Sequence, residues 1–212
     1  MDSRWLSNAY LVGDEEGGSA VFVDSGAPLE PLLRFAEEHR LTPTHVLRTH
    51  AHADHVEHED ELGVPVVLGP LSVGGLEIEA IPTPGHSDDM VAFVVNGEAV
   101  FSGDTLFKDA VGGGDYAQVK SAVMDVYMAM PHERRVLPGH TDETTIGREW
   151  GQNPFVRVWR GIEAEGTERV RVAGREATLV VWSPDYDGKG KAWVRFDDGT
   201  DAIVGGSRVE RS

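Results

Sequence analysis

His50-Ala51-His52-Ala53-Asp54-His55 is the stretch that decides the reading of this chain. Three imidazoles and a carboxylate fall within six residues, and each binds a metal once deprotonated. Upstream, Thr44–Arg48 reads as a buried strand. Downstream, Val56–Leu62 reads as a short helix. The ligand-type residues therefore fall on a strand-to-helix loop at the end of a sheet, where functional side chains concentrate. A polar loop rich in histidine for no reason is the weaker reading, because four ligand-type residues seldom meet in one turn without a metal.

The 212 residues suit one medium domain with a small appendage, and 40% hydrophobic residues suffice for a sizeable core. There is no cysteine, which excludes disulfides, thiolate ligands and a cysteine nucleophile together. The longest apolar run, Met90–Val95, is far shorter than the ~20 residues of a membrane span. Met1–Asn8 lacks the apolar centre of a signal peptide. These features predict a cytoplasmic protein without membrane contact. The net charge is −17, and it is unevenly placed. Residues 1–166 hold 28 of the 36 acidic and 11 of the 19 basic residues, and residues 167–212 hold eight of each. A field of that sign repels phosphate backbones, so a small-molecule substrate is expected rather than nucleic acid.

Tyr10–Val12 and Ala20–Asp24 read as a hairpin turned at Gly13–Gly18, and Pro28–His39 as an amphipathic helix. Strands follow at Val64–Leu68, Leu76–Ile81, Met90–Val95 and Glu98–Ser102, the last two joined by the hairpin dipeptide Asn96-Gly97. Asp115–Met130 has helical spacing throughout, Arg135–Leu137 is a short strand, and Thr145–Gln152 is a last helix ending before Pro154. The texture changes near Glu165-Gly166-Thr167. Beyond it, short strands at 169–172, 177–182, 191–196 and 202–204 predict a small barrel packed on the main domain.

Three further residues repeat the ligand pattern. His86, Asp104 and His140 each follow a glycine just past a strand: Pro84-Gly85-His86-Ser87, Ser102-Gly103-Asp104-Thr105, Pro138-Gly139-His140-Thr141. The glycine permits a sharp turn and a close backbone approach. His39, His45, His58 and His132 lack this context and read as surface or core residues.

With these motifs the chain resembles the metallo-β-lactamase superfamily, and within it the compact bacterial glyoxalase II-like hydrolases. Ser102–Phe107, Thr145–Glu149 and Asn153-Pro154-Phe155 also match that branch. The resemblance covers about residues 5–160. Residues 167–212, outside it, look like a small SH3-like β-barrel on the pattern Trp193–Gly199 and then Ser207-Arg208-Val209. The superfamily resemblance implies an α+β fold, a four-layer αβ/βα sandwich over residues 1–166. It implies one metal on His50, His52 and His86, a second on Asp54, His55 and His140, and Asp104 bridging them. Asp54 and Asp104 become catalytic residues, and the cofactors two zinc ions, with iron or manganese as alternatives in one or both sites. Such a pair lies ~3.5–4 Å apart and holds a hydroxide between its members. The implied enzyme is a dinuclear zinc hydrolase of thioesters.

Alternatives within the superfamily are a mononuclear iron persulfide dioxygenase and a lactonase. β-Lactamases carry cysteine or serine where Asp104 stands, which disfavours an antibiotic hydrolase. The helical substrate domain of glyoxalase II is replaced here by the β-rich tail, and Gly112–Gly114 stands where a Gly-Arg pair is usual. Lys108, the cation nearest the motif, is the candidate substrate contact.

Overall fold

The computed structural model describes residues 6–211. Met1–Trp5, part of the stretch read as lacking a signal peptide, and Ser212 lie outside the described residues. The first sheet has the order β1-β2-β3-β4, with β1 at Tyr10–Gly13, β2 at Ser19–Val23, β3 at Thr42–Leu47 and β4 at Val66–Val67. β1 and β2 form the expected antiparallel hairpin. Helix α1 (Glu30–Glu38) carries the chain from β2 to the parallel β3. The second sheet has the order β10-β9-β8-β7-β6-β5. Its strands are β5 (Leu71–Val73), β6 (Leu76–Pro82), β7 (Val91–Val95), β8 (Ala99–Gly103), β9 (Arg135–Pro138) and β10 (Thr144–Thr145). Asn96 and Gly97 turn β7 into β8 with φ of 50° and 68°, the double positive φ that a type I′ hairpin turn requires.

Strand β7 shows why both faces of the second sheet are buried. Successive side chains of a strand point to opposite faces. Phe93 and Val95 meet Val21, Val23 and Leu47 of the first sheet. Ala92 and Val94 meet Val119, Val123, Tyr127, Ile146 and Phe155 of the outer helices. The apolar run Met90–Val95 is thus a strand covered on both sides. Together with α1 on the first sheet, these layers form the expected four-layer αβ/βα sandwich. No helix among the described residues is long and apolar enough to cross a membrane.

Several elements differ from expectation for local physical reasons. The helix expected at Val56–Leu62 instead begins inside the ligand stretch, as α2 (Ala53–Val56), and a separate 3-10 turn follows at Glu59–Glu61. The helix expected at Asp115–Met130 is regular only as α3 (Tyr116–Ser121), capped by Asp115, whose carboxylate accepts the Gln118 N–H at 2.9 Å. It widens to a π turn over Ala122–Val126 and tightens to a 3-10 turn over Tyr127–Ala129. This change of pitch keeps Val119, Val123 and Tyr127 all fully buried, and lets the Tyr127 hydroxyl donate to the Ser102 carbonyl at 3.3 Å. Helix α4 (Ile146–Gln152) does end before Pro154, but that proline also opens α5 (Pro154–Trp159). Asn153 caps α5 by accepting from the N–H groups of Phe155 and Val156, and proline is well suited to a first helical position.

The C-terminal segment is a half-barrel sheet, which corrects the expected closed SH3-like barrel. Its order is β14-β13-β12-β11-β15, with β11 at Glu168–Val172, β12 at Arg175–Ser183, β13 at Lys191–Phe196, β14 at Asp201–Gly205 and β15 at Val209–Arg211. Among the described residues no ladder joins the edges β14 and β15. One face holds its own small core of Val170, Val172, Ala177, Leu179, Ala192, Val194 and Phe196. On the other side Val180, Val181, Trp193 and Ile203 enter the same cluster as α3, α4 and α5. Trp193 lies 5.0 Å from the Tyr116 ring and 6.3 Å from Trp159, and Ile203 forms a bridge to Gly114. A sheet this small buries too little alone, so apolar contact with a neighbour carries its stability.

Trp193→Ala should therefore destabilise the full chain by about 3–5 kcal/mol, the usual scale for emptying a buried aromatic site. Denaturant unfolding measures it. A loss under about 1 kcal/mol would show that this contact contributes little.

Candidate metal centre

β6, β8 and β9 run in the same direction, because β7 is antiparallel to both β6 and β8 while β9 is parallel to β8. His86, Asp104 and His140 follow the carboxyl ends of those three strands. His50, His52, Asp54 and His55 follow the carboxyl end of β3 in the first sheet. The structure thus brings all seven predicted residues to one edge of the sandwich. Close backbone approach makes the turns possible. A Cβ on Gly139 would lie 2.4 Å from Asp104 Oδ1 and 2.6 Å from His55 Cε1. One on Gly26 would lie 1.5 Å from the Asp54 carbonyl oxygen.

Outer contacts orient the imidazoles. Asp24, at the end of β2, accepts the Thr49 N–H and the Thr49 hydroxyl, each at 2.8 Å, and holds His55 Nδ1 at 2.7 Å. The Thr49 hydroxyl proton is therefore committed, and Thr49 Oγ1 is left to accept from His50 Nδ1 at 3.1 Å. His86 Nδ1 faces the Gly113 carbonyl and His140 Nδ1 the Leu6 carbonyl, each at 2.8 Å. Carbonyls and carboxylates only accept, so each Nδ1 carries a hydrogen and each Nε2 points inward.

The inward atoms form groups of three that can each hold a metal ion. His50 Nε2 and His86 Nε2 lie 3.0 and 2.9 Å from His52 Nδ1. His140 Nε2 lies 3.4 Å and His55 Nε2 3.8 Å from Asp54 Oδ2. Asp104 stands between these groups. It is 3.6 Å from His86 Nε2, 3.3 Å from His55 Nε2 and 3.4 Å from His140 Nε2. His50, His55 and Asp104 make a third such group.

The donors fit metal ions on two grounds. Nitrogen and carboxylate oxygen without sulfur suit zinc, iron and manganese. Further, His55 Nε2 and Asp104 Oδ1 are buried yet hydrogen-bonded to nothing among the described residues. An orphaned buried polar atom costs about 1–3 kcal/mol, a cost that coordination removes.

Charge divides the centre. Burial, with help from the charge of His55, pushes His50 down to about 4. Burial also lowers His86. These imidazoles are bare at neutral pH. At His55 burial opposes the charged form, but Asp24 and Asp104 outweigh it and hold the group up at about 11. At His140 burial is likewise outweighed, chiefly by Asp104, and the group stands at about 9. Burial would raise Asp104, but His140 and His55 hold its carboxyl well below the usual range. The second group is therefore a place prepared for positive charge.

Lys108 is not among the converging donors. Its Nζ pairs with Asp142 at 2.9 Å. The two line a pocket of about 270 Å³ with Asp109, Thr141, Pro184, Asp185 and Tyr186. A larger groove of about 650 Å³, lined by Tyr10, Phe35, His39 and Arg135 among others, contains none of the seven. His58 turns to Glu61 at 2.8 Å, His39 lies against Phe35 and His132 against Trp150. Three residues of the site go beyond the sequence reading. Asp24 had a usable signal, since it ends an apolar strand as Asp104 does. Phe107 closes the matched motif Ser102–Phe107 without a role read for it, and Tyr186 had no signal: their rings meet His140, Phe107 edge-on at 5.8 Å and Tyr186 stacked at 3.9 Å and 8°.

A family model described as the metallo-β-lactamase superfamily matches residues 2–56. The structure of ETHE1 from Myxococcus xanthus is 32% identical with a TM-score of 0.67, covering 74% of this chain and 82% of that one. The structure of TTHA1623 in a di-iron-bound form is 34% identical with a TM-score of 0.59, covering 70% and 94%. Hydroxyacylglutathione hydrolase GloC from Haemophilus influenzae is 26% identical, covering 73% of this chain and 94% of its own length. Glycine-turned ligands at co-directed strand ends and this likeness agree: the chain belongs to the metallo-β-lactamase superfamily.

Proposed function

We propose that this protein is a dinuclear metal hydrolase acting on a small-molecule thioester in the cytoplasm. The observation that carries the reading is the position of Asp104, a buried carboxylate within 3.6 Å of His86 on one side and 3.4 Å of His140 on the other. His50, His52 and His86 would hold one metal, Asp54, His55 and His140 the other, and Asp104 would be shared. Zinc is the proposed metal, with iron or manganese as alternatives. When bound, such a pair supplies a Lewis acid for a carbonyl oxygen and a nucleophile from water at neutral pH. The remaining steps belong to the chain. Asp24, Thr49 and the Gly113 and Leu6 carbonyls fix the imidazoles before substrate arrives. Asp54 lies nearer solvent, with 22% of its side chain exposed. Burial would raise its carboxyl, but the hydrogen bond from His140 and the charge of His55 hold it low, so it stays ionised and can accept a hydrogen bond from water. Lys108, at the adjoining pocket, orients an anionic part of the substrate.

The thioester reading draws support from GloC, whose name states hydrolysis of hydroxyacylglutathione. TTHA1623, in its di-iron form, keeps iron among the alternatives. The likeness to ETHE1 fits this reading and also a second one, a mononuclear iron persulfide dioxygenase. Metal analysis of protein purified without added metal separates them, with about two metals per chain for the hydrolase and about one iron for the dioxygenase. Turnover of an S-hydroxyacylglutathione is the matching assay. The lactonase alternative would show itself as turnover of a lactone in place of the thioester.

Asp104→Ala should cost one metal and at least ~100-fold in kcat, the scale for removing a principal electrostatic group. Full metal content with near-normal turnover would reduce Asp104 to a turn residue.

Metal loading should also release protons. His55 at about 11 and His140 at about 9 are both protonated at neutral pH before the metal enters, and coordination needs their lone pairs. Raised histidine values mean that protons compete harder as pH falls, so metal affinity should weaken in that direction. Calorimetry in buffers of different ionisation enthalpy should count about two protons released at pH 7. No release would contradict the assignment of these two residues.

A further inference from the structure

The C-terminal sheet reaches the metal centre through one side chain. Tyr186 lies on the loop between β12 and β13, and its ring stacks on His140 at 3.9 Å and 8°. Phe107 stands edge-on to both rings, 5.8 Å from His140 and 6.1 Å from Tyr186. We propose that Tyr186 is a positioning residue for His140, so that occupancy of the Asp54–His55–His140 position depends on the docked C-terminal sheet. The proposal rests on the two-metal reading above and adds a residue from outside the ligand-bearing strands.

His140 is held by fewer outer contacts than its neighbour His55. His55 is held by a carboxylate that is itself pinned twice by Thr49. His140 has Gly139 on one side and Thr141, in the left-handed region at φ 71°, on the other. Its one outer hydrogen bond goes to the Leu6 carbonyl. A single hydrogen bond at Nδ1 leaves the ring free to tilt about that contact, and tilting moves Nε2 away from Asp54 and Asp104. A parallel ring on its face removes that freedom.

Tyr186 can do this because its loop is tied down. Asp185, next to it, forms an ion pair with Lys191 at 2.9 Å, and the two side chains are only 4% and 10% exposed. The Ser183 hydroxyl donates to the Asp109 carbonyl on the main body. Asp109 is fixed in turn by Arg148 through its carboxylate, at 2.8 and 3.0 Å, and by Glu149 through its N–H at 2.8 Å. At the far end the Gly206 N–H donates to the Gly190 carbonyl at 2.6 Å. The loop is therefore braced against the segment that leads out of Asp104. The plainer reading is that Tyr186 merely covers a buried ring. That reading predicts a general loss of stability on truncation, not a selective loss at one metal position.

The test uses the full-length protein, stripped of metal and titrated with zinc against a chromophoric chelator. Tyr186→Ala should weaken one of the two binding steps by about tenfold or more, the range for losing an outer contact of a metal ligand. The weakened step should be the one that His140→Ala abolishes. Tyr186→Phe keeps the ring and should stay within about threefold of the wild type, while Tyr186→Leu, apolar but without a ring, should behave like the alanine variant. The visible spectrum of the cobalt-loaded protein should change in Tyr186→Ala and be restored in Tyr186→Phe. Melting of each metal-free variant near the wild-type temperature shows that folding is intact. Wild-type affinity for both metals in Tyr186→Ala overturns the proposal and leaves the two-metal reading standing. Equal weakening of both steps with a lowered metal-free melting temperature overturns it in favour of simple packing. A wild type that binds a single metal overturns both readings together.

Discussion

Asp24 is the carboxylate on which the site depends. With 3% of its surface exposed, its carboxylate oxygens need hydrogen-bond partners inside the protein. It finds them at both ends of the ligand stretch, the Thr49 backbone and hydroxyl at the start and His55 at the end. A single buried charge thereby fixes the course of the loop between β3 and α2, the ring orientation of His55 and, through Thr49, that of His50. Removing one partner of a buried charge costs far more than the pair contributes in balance. The arrangement is for that reason a rigid one.

The sandwich places the other ligands without needing to shape each of them. β6, β8 and β9 point the same way, so the residues after them emerge at one edge. The two sheets close on Phe93, Val95, Phe101, Val23 and Leu47, which brings that edge against the end of β3. Charge then sorts the donors. His50 and His86 lose their protons to burial. Those facing Asp24, Asp54 and Asp104 keep theirs until a cation takes their place.

The C-terminal sheet joins this scheme from the other side. Trp193, Val181 and Ile203 share the core of the outer helices, and the loop above them carries Tyr186 to His140. The larger groove near Tyr10 and Phe35 contains none of the seven converging residues. The 270 Å³ pocket between Lys108 and Tyr186 is built from both parts of the chain.

The convergent histidines and aspartates were legible as a set because metal chemistry favours particular side chains and the turns that present them favour glycine, both of which are local. The same holds for the Asn96-Gly97 hairpin and for the strand Met90–Val95. Pitch changes were not legible. Only burial of Tyr127 beneath Ser102 explains why the helix after Asp115 widens, and only the Asn153 cap explains why Pro154 starts a helix as well as ending one. The outer contacts of the ligands were hidden for a related reason. Asp24 is 31 residues from His55, and Tyr186 lies 46 residues beyond His140. Open edges on the half-barrel sheet were beyond reach too, since short strands and turns read alike whether or not the sheet closes. The sequence by itself determined which atoms are able to bind a metal, because donor type is a matter of covalent structure. The tertiary structure decided how they are held, because orientation of a ring depends on whatever distant segment packs against it.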